Sequence, residues 1–346
     1  IGLNNYSLIY TNIRNLFLIV VLFLFSVKGF TCTTFVLKND SSLLFGRNLD
    51  WVSEDGIIEV NKKGIQKEAL IFPPEKPAKW ISKYGSVTFN QFGKEFPFGG
   101  INEKGLVVEL MLVDGNYPAL QGKSAVNELQ WVQYQLDNSK SIREVIESTH
   151  KIGIQQINQH LHFLICDSIG NSVVIEFSIE GILTYKGTNL PTPVLENDLY
   201  LKSVNKHSKN QTCRFSTALK MVNSFENQNN SKAIEYSFNI LNKVKISGSW
   251  SIVYDIKNME INFKTINNQK IREIRIKNFN FSCKESSHIY NIKNNDYGII
   301  TSLFSKYTEK VNNEIFTRSL KSNDIGLPSQ VLNQFSTYNK SCICID

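Results

Sequence analysis

The sequence predicts an α+β protein in which helices pack on antiparallel sheets. β-Branched and apolar residues over 32–37 are typical of a buried strand, and a polar turn at 39–42 leads into a returning strand at 43–47. Two predicted helices come later, one from the helical spacing of its apolar residues and one from a capping-box pattern, and further strand pairs follow them. Strands, then two helices, then more strands are the order expected when helices are layered on antiparallel sheets.

The middle of the chain carries clear local signals. Residues 106–113 are almost continuously apolar and predict a strong strand after a turn at 102–105. In the segment 125–136, Leu129, Val132 and Leu136 recur at helical spacing. This segment is therefore predicted to be the first helix.

A second helix and several hairpins complete the predicted order. Ser141 followed by Glu144 is a capping-box pattern, so this helix is expected to begin after Ser141 and to end near residue 150. A further helix is predicted at about residues 300–319. The remaining predicted strands lie at 161–167, 172–177, 181–185, 250–255 and 259–265.

Residues 1–31 are predicted to be a secretory signal peptide that is removed. Arg14 provides a basic flank, residues 16–25 are an unbroken apolar run, and small residues precede Cys32. The apolar run is shorter than the roughly 20 residues that a helix needs to span a bilayer. We therefore expect an exported protein, periplasmic or secreted, with residues 32–346 as a single domain. An uncleaved membrane anchor is the alternative.

Removal of residues 1–31 would give Cys32 a free α-amino group. The thiol and the amine of one residue have reference pKa values of about 8.5 and about 7.7–8.0. The amine can take the thiol proton directly or through a water, so nucleophile and base can be one residue. The five histidines lie far from Cys32 in the sequence and form no recognisable catalytic or metal-binding signature.

The predicted first hairpin returns Arg47 and Asp50 to the neighbourhood of Cys32. A nearby cation lowers the pKa of a thiol, and a carboxylate can orient an α-ammonium group by a hydrogen bond. The alternative for these two residues is an ordinary surface ion pair, which contributes little to stability.

Charge and cysteine usage exclude some functions. The net charge is +7, but the basic residues are scattered rather than clustered in a stripe, which argues against a nucleic-acid partner. The six cysteines lack metal-binding spacing. Cys166 and Cys213 are interpreted as buried thiols, and a bridge among Cys283, Cys342 and Cys344 is left open.

A cysteine–threonine start followed by Phe-Gly-Arg-Asn-Leu-Asp-Trp at 45–51 resembles the choloylglycine hydrolase and penicillin V acylase family. These proteins are N-terminal-nucleophile hydrolases that cleave linear amide bonds. Further similar blocks follow in family order at 99–106, 193–198, 213–215 and 250–255. The resemblance implies a four-layer α/β/β/α sandwich, a small-molecule N-acyl amide substrate, no metal or organic cofactor, and a homotetramer as one assembly that such proteins form.

The resemblance also implies roles for individual residues. Cys32 would be the nucleophile and, through its amine, the base. Arg47 would lie near the thiolate, and Asp50 would hold the α-amino group. Asn197 would donate to the oxyanion of the tetrahedral intermediate, with Asn189 as a rival for that role. Arg214 would help to maintain the charge geometry of the site.

Leu112 is a departure from the family pattern. Bile-salt hydrolases place Asn at this strand position, and Gram-positive penicillin V acylases place Tyr. The backbone N–H of Leu112 can still be the second oxyanion donor. The apolar side chain argues against bile-salt hydrolysis and favours an aromatic or fatty acyl group, as in penicillin V or an acyl-homoserine lactone.

Two other kinds of function remain open from the sequence. One is a non-catalytic, membrane-anchored binding scaffold, which would need an uncleaved amino-terminal segment. The other is an internal-cysteine protease in which Cys166 pairs with His160 or His162, two histidines predicted to share a strand face.

Overall fold

A computed structural model describes residues 32–209, 211–225, 230–246, 248–323 and 329–345. The predicted signal peptide lies outside these residues. The strands, numbered in chain order, are β1 (Thr33–Lys38), β2 (Leu43–Leu49), β3 (Ile57–Asn61), β4 (Ile65–Glu68), β5 (Lys79–Ile81), β6 (Ser86–Asn90), β7 (Gly99–Asn102), β8 (Val107–Leu112), β9 (Ser124–Asn127), β10 (Ile152–Gln155), β11 (Leu161–Cys166), β12 (Ser172–Ser178), β13 (Gly181–Lys186), β14 (Val194–Glu196), β15 (Trp250–Asp255), β16 (Glu260–Thr265), β17 (Arg272–Arg275), β18 (His288–Asn291), β19 (Gly298–Ile299), β20 (Ser305–Lys306) and β21 (Ile343–Cys344).

The α-helices are α1 (Glu128–Asn138), α2 (Ile142–Thr149), α3 (Tyr200–Ser208), α4 (Arg214–Asn223), α5 (Asn230–Val244), α6 (Glu309–Ser322) and α7 (Ser329–Thr337). Ser141 caps α2 as predicted, because its side chain accepts a hydrogen bond from the Glu144 backbone N–H at 3.3 Å. The amide side chain of Asn127 caps α1 in the same way. The first helix therefore begins at Glu128, three residues after its predicted start at 125, because residues 125–127 belong to β9.

The predicted first hairpin lies inside the smaller of two large sheets. The side chain of Asn39 accepts hydrogen bonds from the backbone N–H groups of Ser41 and Ser42 and thereby closes the turn. The register then places Thr34 opposite Arg47. This sheet has the strand order β14-β1-β2-β15-β16-β17-β19, so the hairpin is flanked on both sides by strands from distant parts of the chain.

The second large sheet has nine strands in the order β13-β12-β11-β8-β7-β6-β3-β18-β20. Its inner face packs on the seven-stranded sheet: the ring of Phe89 on β6 contacts Trp250, Tyr254 and Phe263, with centroids 6.0, 6.3 and 5.6 Å away. Helices α4 and α5 pack on the seven-stranded sheet, and α1 packs on β7 and β8. The predicted four-layer α/β/β/α sandwich is confirmed.

The carboxyl-terminal part differs from the prediction of one helix at about 300–319. Residues 305–306 form β20, which pairs with β18, and the helix α6 begins only at Glu309. Thr308 ends the extended segment, because its hydroxyl accepts a hydrogen bond from the Val311 N–H and caps the helix. The chain then continues into α7 and β21, which pairs with β4.

The carboxyl-terminal tail is covalently attached. Cys283 and Cys344 form a disulfide, with their Cα atoms 5.5 Å apart, whereas Cys342 is free. Among the residues described, none of the helices combines the length and the apolar character that crossing a bilayer requires.

Candidate active site

Cys32 lies immediately before β1 and is almost fully buried, with 2% of its surface exposed. Its backbone nitrogen donates a hydrogen bond to the side-chain oxygen of Asn197. Asn197 reaches this place because β14 ends one residue earlier, and β14 pairs with β1 so that Glu196 lies opposite Thr33. Strand pairing therefore brings together two residues that are 165 positions apart in the sequence.

Asn197 also bridges to the other sheet. Its Nδ2 donates a hydrogen bond to the Leu112 carbonyl oxygen at 2.8 Å. A side-chain amide nitrogen carries two hydrogens, so one more can be donated to a ligand. Asn189, the rival in the sequence, lies in an exposed turn that follows the edge strand β13. The structure thus brings Asn197, and not Asn189, to Cys32.

The backbone of Leu112 faces Asn197 because of the alternation in an antiparallel ladder. Val113 N–H donates to the His160 carbonyl at 3.2 Å, so the neighbouring pair of Leu112 and Leu161 does not exchange hydrogen bonds. The Leu161 N–H instead donates to the hydroxyl of Tyr117 at 2.9 Å. The N–H of Leu112 therefore points away from β11, toward the same side as its carbonyl.

Arg47 projects from β2 into the space between the two sheets. Its Nε lies 2.9 Å from Oε2 of Glu109 on β8, and both side chains are fully buried. The hydroxyl of Tyr254 donates to Oε1 of the same carboxylate at 2.5 Å. Sequence reasoning missed Glu109, although a lone acidic residue within the apolar segment 106–113 was a visible signal. Burial raises the pKa of Glu109 to about 7, against the opposing effects of Arg47 and Tyr254.

Asp50 follows β2 and anchors the backbone of a neighbouring loop. Its Oδ1 accepts hydrogen bonds from the N–H groups of Ile246 and Gly248, at 3.1 and 2.5 Å. The backbone N–H of Asp50 hydrogen-bonds the Cys32 thiol and favours the thiolate. Asp50 thus lies beside Cys32 as predicted from the hairpin, while its predicted contact with the α-amino group stays a prediction.

Arg214 starts α4, and its side chain contacts the backbone of Cys32. Its Nη1 donates to the Cys32 carbonyl at 2.9 Å and to the Thr33 hydroxyl at 3.1 Å. Its Nη2 lies 3.9 Å from a carboxylate oxygen of Glu196. These contacts fix the backbone of Cys32.

The environment of the thiol determines its resting state. Burial raises the pKa of Cys32, and this effect outweighs the opposing effects of Arg47, of the Asp50 N–H and of Arg214. The Asp50 carboxylate acts in the same direction as burial. The thiol is therefore protonated at neutral pH, and a base would have to remove its proton for it to act as a nucleophile.

One cavity opens onto Cys32. Its walls are predominantly apolar, with a few polar side chains among them. The lining residues are Cys32, Leu49, Trp51, Phe92, Phe98, Leu110, Leu112, Asn127, Glu128, Leu129, Ile157, Asn158, Gln159, Leu161, Phe316, Leu320, Leu332 and Phe335. The last four belong to α6 and α7, for which the sequence indicated no role.

The alternative Cys–His pair is not formed. Cys166 and His162 lie on one strand four residues apart, a separation of about 13 Å. His162 Nδ1 lies 3.0 Å from Glu176 Oε1, and His160 Nδ1 lies 3.1 Å from the Val113 carbonyl. Burial raises the pKa of the Cys166 thiol to about 12.

Comparisons with known proteins agree with this geometry. Residues 32–200 match the model of the linear amide C-N hydrolases, choloylglycine hydrolase family. The resemblance seen in the sequence is confirmed. The matched segment begins at Cys32 and includes Arg47, Glu109 and Asn197, whereas Arg214 and the four cavity residues of α6 and α7 lie beyond it.

Solved structures show the same fold. A penicillin V acylase from Agrobacterium tumefaciens is 20% identical, with a TM-score of 0.70, and the match covers 80% of this chain and 98% of that one. A variant of the conjugated bile acid hydrolase from Clostridium perfringens is 19% identical, with a TM-score of 0.61, and the match covers 78% and 99%. A comparison with curated proteins finds no match.

Proposed function

We propose that the protein is an exported hydrolase that cleaves a linear N-acyl amide with Cys32 as an amino-terminal nucleophile. The family match makes an amide hydrolase the expected class. The assignment of Cys32 as the nucleophile is supported by three features that this residue combines. Its nitrogen is hydrogen-bonded to Asn197, its carbonyl accepts a hydrogen bond from Arg214, and the residue lines a predominantly apolar cavity.

The first step is activation of the thiol. The α-amine of Cys32 accepts the thiol proton, and the resulting thiolate attacks the amide carbonyl carbon. Arg47 and the Asp50 N–H stabilise the thiolate, against the desolvation that raises its pKa. The hydrogen bond to Asn197 orients the nitrogen that acts as the base.

The oxyanion of the tetrahedral intermediate is stabilised by two donors. The second hydrogen of Asn197 Nδ2 is one, and the backbone N–H of Leu112 is the other. Both belong to the bridge between the two sheets, so they are fixed before substrate binds. Prealigned donors of this kind lower the barrier because they need no reorganisation during the reaction.

The intermediate then collapses with cleavage of the C–N bond. The α-ammonium gives its proton to the leaving amine, and the acyl group remains on sulfur as a thioester. A water, deprotonated by the same amine, attacks the thioester and releases a carboxylic acid. The proton returns to the sulfur, and the enzyme is restored.

The cavity indicates the acyl part of the substrate. Its lining at Leu110, Leu112 and Trp51 suits an aromatic or fatty acyl group better than a polar one. Penicillin V and acyl-homoserine lactones, which carry such groups, are the proposed substrate types, and bile-salt conjugates are the alternative. The Cys283–Cys344 disulfide supports export, because disulfides persist in oxidising compartments.

The proposal is tested by the amino terminus and by substitution of Cys32. Protein recovered from its native export route should begin at Cys32, as determined by mass spectrometry. Cys32→Ala should abolish hydrolysis of penicillin V and acyl-homoserine lactones while the fold is retained, because the variant has no thiol to form the thioester. Cys166→Ala is the matched control and should keep its activity.

Full activity of Cys32→Ala would reject the assignment. Loss of activity in Cys166→Ala, with Cys32→Ala still active, would favour the internal-cysteine protease. Retention of residues before Cys32 in all of the exported protein, together with no turnover, would favour a non-catalytic binding scaffold.

A further inference from the structure

Glu109 is a carboxylate placed in the middle of an apolar strand. It lies between Val108 and Leu110 on β8 and is fully buried. Gly99 on the adjacent strand β7 leaves the space for it, since a Cβ atom there would come within 2.0 Å of Glu109 Oε2. A buried carboxylate is costly unless it is paired. Its place in this strand therefore depends on its partners.

The partners of Glu109 are both on the facing sheet and one of them adjoins the nucleophile. Arg47 comes from β2 and Tyr254 from β15. Arg47 lies opposite Thr34, so its side chain shares a sheet face with those of Thr34 and Cys32. Arg47 Nε and Glu109 Oε2 form an ion pair at 2.9 Å without the alignment of a hydrogen bond, and the buried Arg47 Nη1 has no hydrogen-bond partner among the described residues. The guanidinium thus keeps a donor for a further group.

We propose that Glu109 is a positioning residue that holds Arg47 beside Cys32 and partly offsets the charge that Arg47 presents to the thiol. Only its effect on turnover rests on the proposed function, since the reactivity of the thiol can be measured without a substrate. The carboxylate titrates near neutrality because burial raises its pKa to about 7. The charge of the Arg47–Glu109 pair then falls from +1 to 0 as the pH rises through 7.

The test compares Glu109→Gln and Glu109→Ala with the wild-type protein. Gln keeps the size of the side chain and an oxygen for Arg47 but removes the negative charge, whereas Ala removes the partner altogether. Asp137→Asn is the matched control. Asp137 is fully buried and lies 3.0 Å from Lys67, and it is about 13 Å along α1 from Glu128 at the cavity.

Two readouts are needed over pH 5–10. One is the rate of alkylation of Cys32 by iodoacetamide, followed by mass spectrometry of its peptide. The other is kcat and KM for the substrate that the wild-type protein cleaves fastest.

Glu109→Gln should lower the apparent pKa of Cys32 and speed its alkylation at pH 7 by about threefold or more, because the charge of Arg47 is no longer offset. The change in alkylation rate near pH 7 that titration of Glu109 causes in the wild-type protein should be absent from this variant. Glu109→Ala should slow alkylation and lower kcat by about tenfold or more with KM changed less than about threefold, because Arg47 loses its anchor. Asp137→Asn should change neither profile.

Unchanged alkylation profiles in Glu109→Gln would overturn the proposal and leave Glu109 a structural residue, even if Glu109→Ala does not fold. The expected shift in alkylation, with no hydrolysis of any amide by the wild-type protein, would support the role of Glu109 while rejecting the proposed function. Failure of the role proposed for Glu109 can therefore be distinguished from failure of the proposed hydrolase function.

Discussion

The two sides of the cavity are built by different kinds of interaction. The side that carries Cys32 lies in the family-matched segment and is organised by hydrogen bonds and a buried ion pair, through Asn197, Arg47 and Glu109. Another side is formed by α6 and α7, beyond the matched segment, and it contributes only apolar side chains. One side provides the polar and charged groups around Cys32, to which the proposal assigns the chemistry, and the other provides apolar surface.

This difference predicts how strongly substitutions on each side of the cavity should affect activity. A buried hydrogen bond or ion pair depends on one geometry and fails when one partner is removed. An apolar wall contributes in proportion to the area it covers, so substitutions there change affinity gradually. We therefore expect substitutions on the Cys32 side to act on kcat and those on the helical side to act on KM.

The largest effect is expected from Asn197→Ala. It removes both the proposed donor to the oxyanion and the acceptor of the hydrogen bond from the Cys32 nitrogen. Loss of one oxyanion donor typically costs about 100–1000-fold in rate. We expect kcat to fall by at least that factor in steady-state assays, with the circular dichroism spectrum unchanged.

Asn189→Ala is the matched control for Asn197→Ala, because Asn189 lies in an exposed turn. If the two variants lost activity equally, the assignment of Asn197 as oxyanion donor would be wrong.

A smaller effect, on stability, is expected when the disulfide that attaches the carboxyl-terminal tail is removed. The Cys283–Cys344 disulfide closes a loop of 61 residues, and loops of this size typically gain about 2–4 kcal/mol of stability from a disulfide. Cys283→Ser should lower the free energy of unfolding by about this amount, as measured by urea titration. A reductant should destabilise the wild-type protein similarly and should have no further effect on the variant. Destabilisation of the variant by reductant would contradict this role.

The sequence allowed prediction where the interactions are local. The Asn39 turn and the Ser141 cap involve residues two or three positions apart, and both are present. Cys32, Asp50 and Asn197 come together as anticipated, but the place of Asn197 followed from the family resemblance, since nothing local specifies a contact over 165 positions. Glu109 was missed because its partners lie on another sheet.

The cavity wall from α6 and α7 was missed for a related reason. Phe316 on α6 and Leu332 on α7 each belong to the apolar face of an amphipathic helix, as ordinary core residues do. The periodicity of apolar residues does not reveal which surface such a face covers. Their contact with the cavity depends on the packing of the tail on the body, to which the disulfide and the pairing of β21 with β4 contribute.

The smallest effect is expected from Leu332→Ala, and it probes this wall directly. Burying a leucine side chain fully is worth about 1.5–3 kcal/mol, and Leu332 is half-buried. The loss of about half of that energy should raise KM for the preferred acyl amide by about three- to tenfold. The variant should accept bulkier acyl groups, because the cavity is wider, while kcat stays within about twofold because no group at Cys32 moves.

The matched control for Leu332→Ala is Leu303→Ala, since Leu303 is half-exposed and does not line the cavity. A series of acyl-homoserine lactones of increasing chain length would give both constants for each variant. A fall in kcat with an unchanged KM in Leu332→Ala would mean that α7 acts on the reacting groups themselves. The expectation that the helical side acts only on KM would then be wrong. A wall that only contacts the acyl group stabilises the bound substrate and the transition state equally, so its loss leaves kcat unchanged.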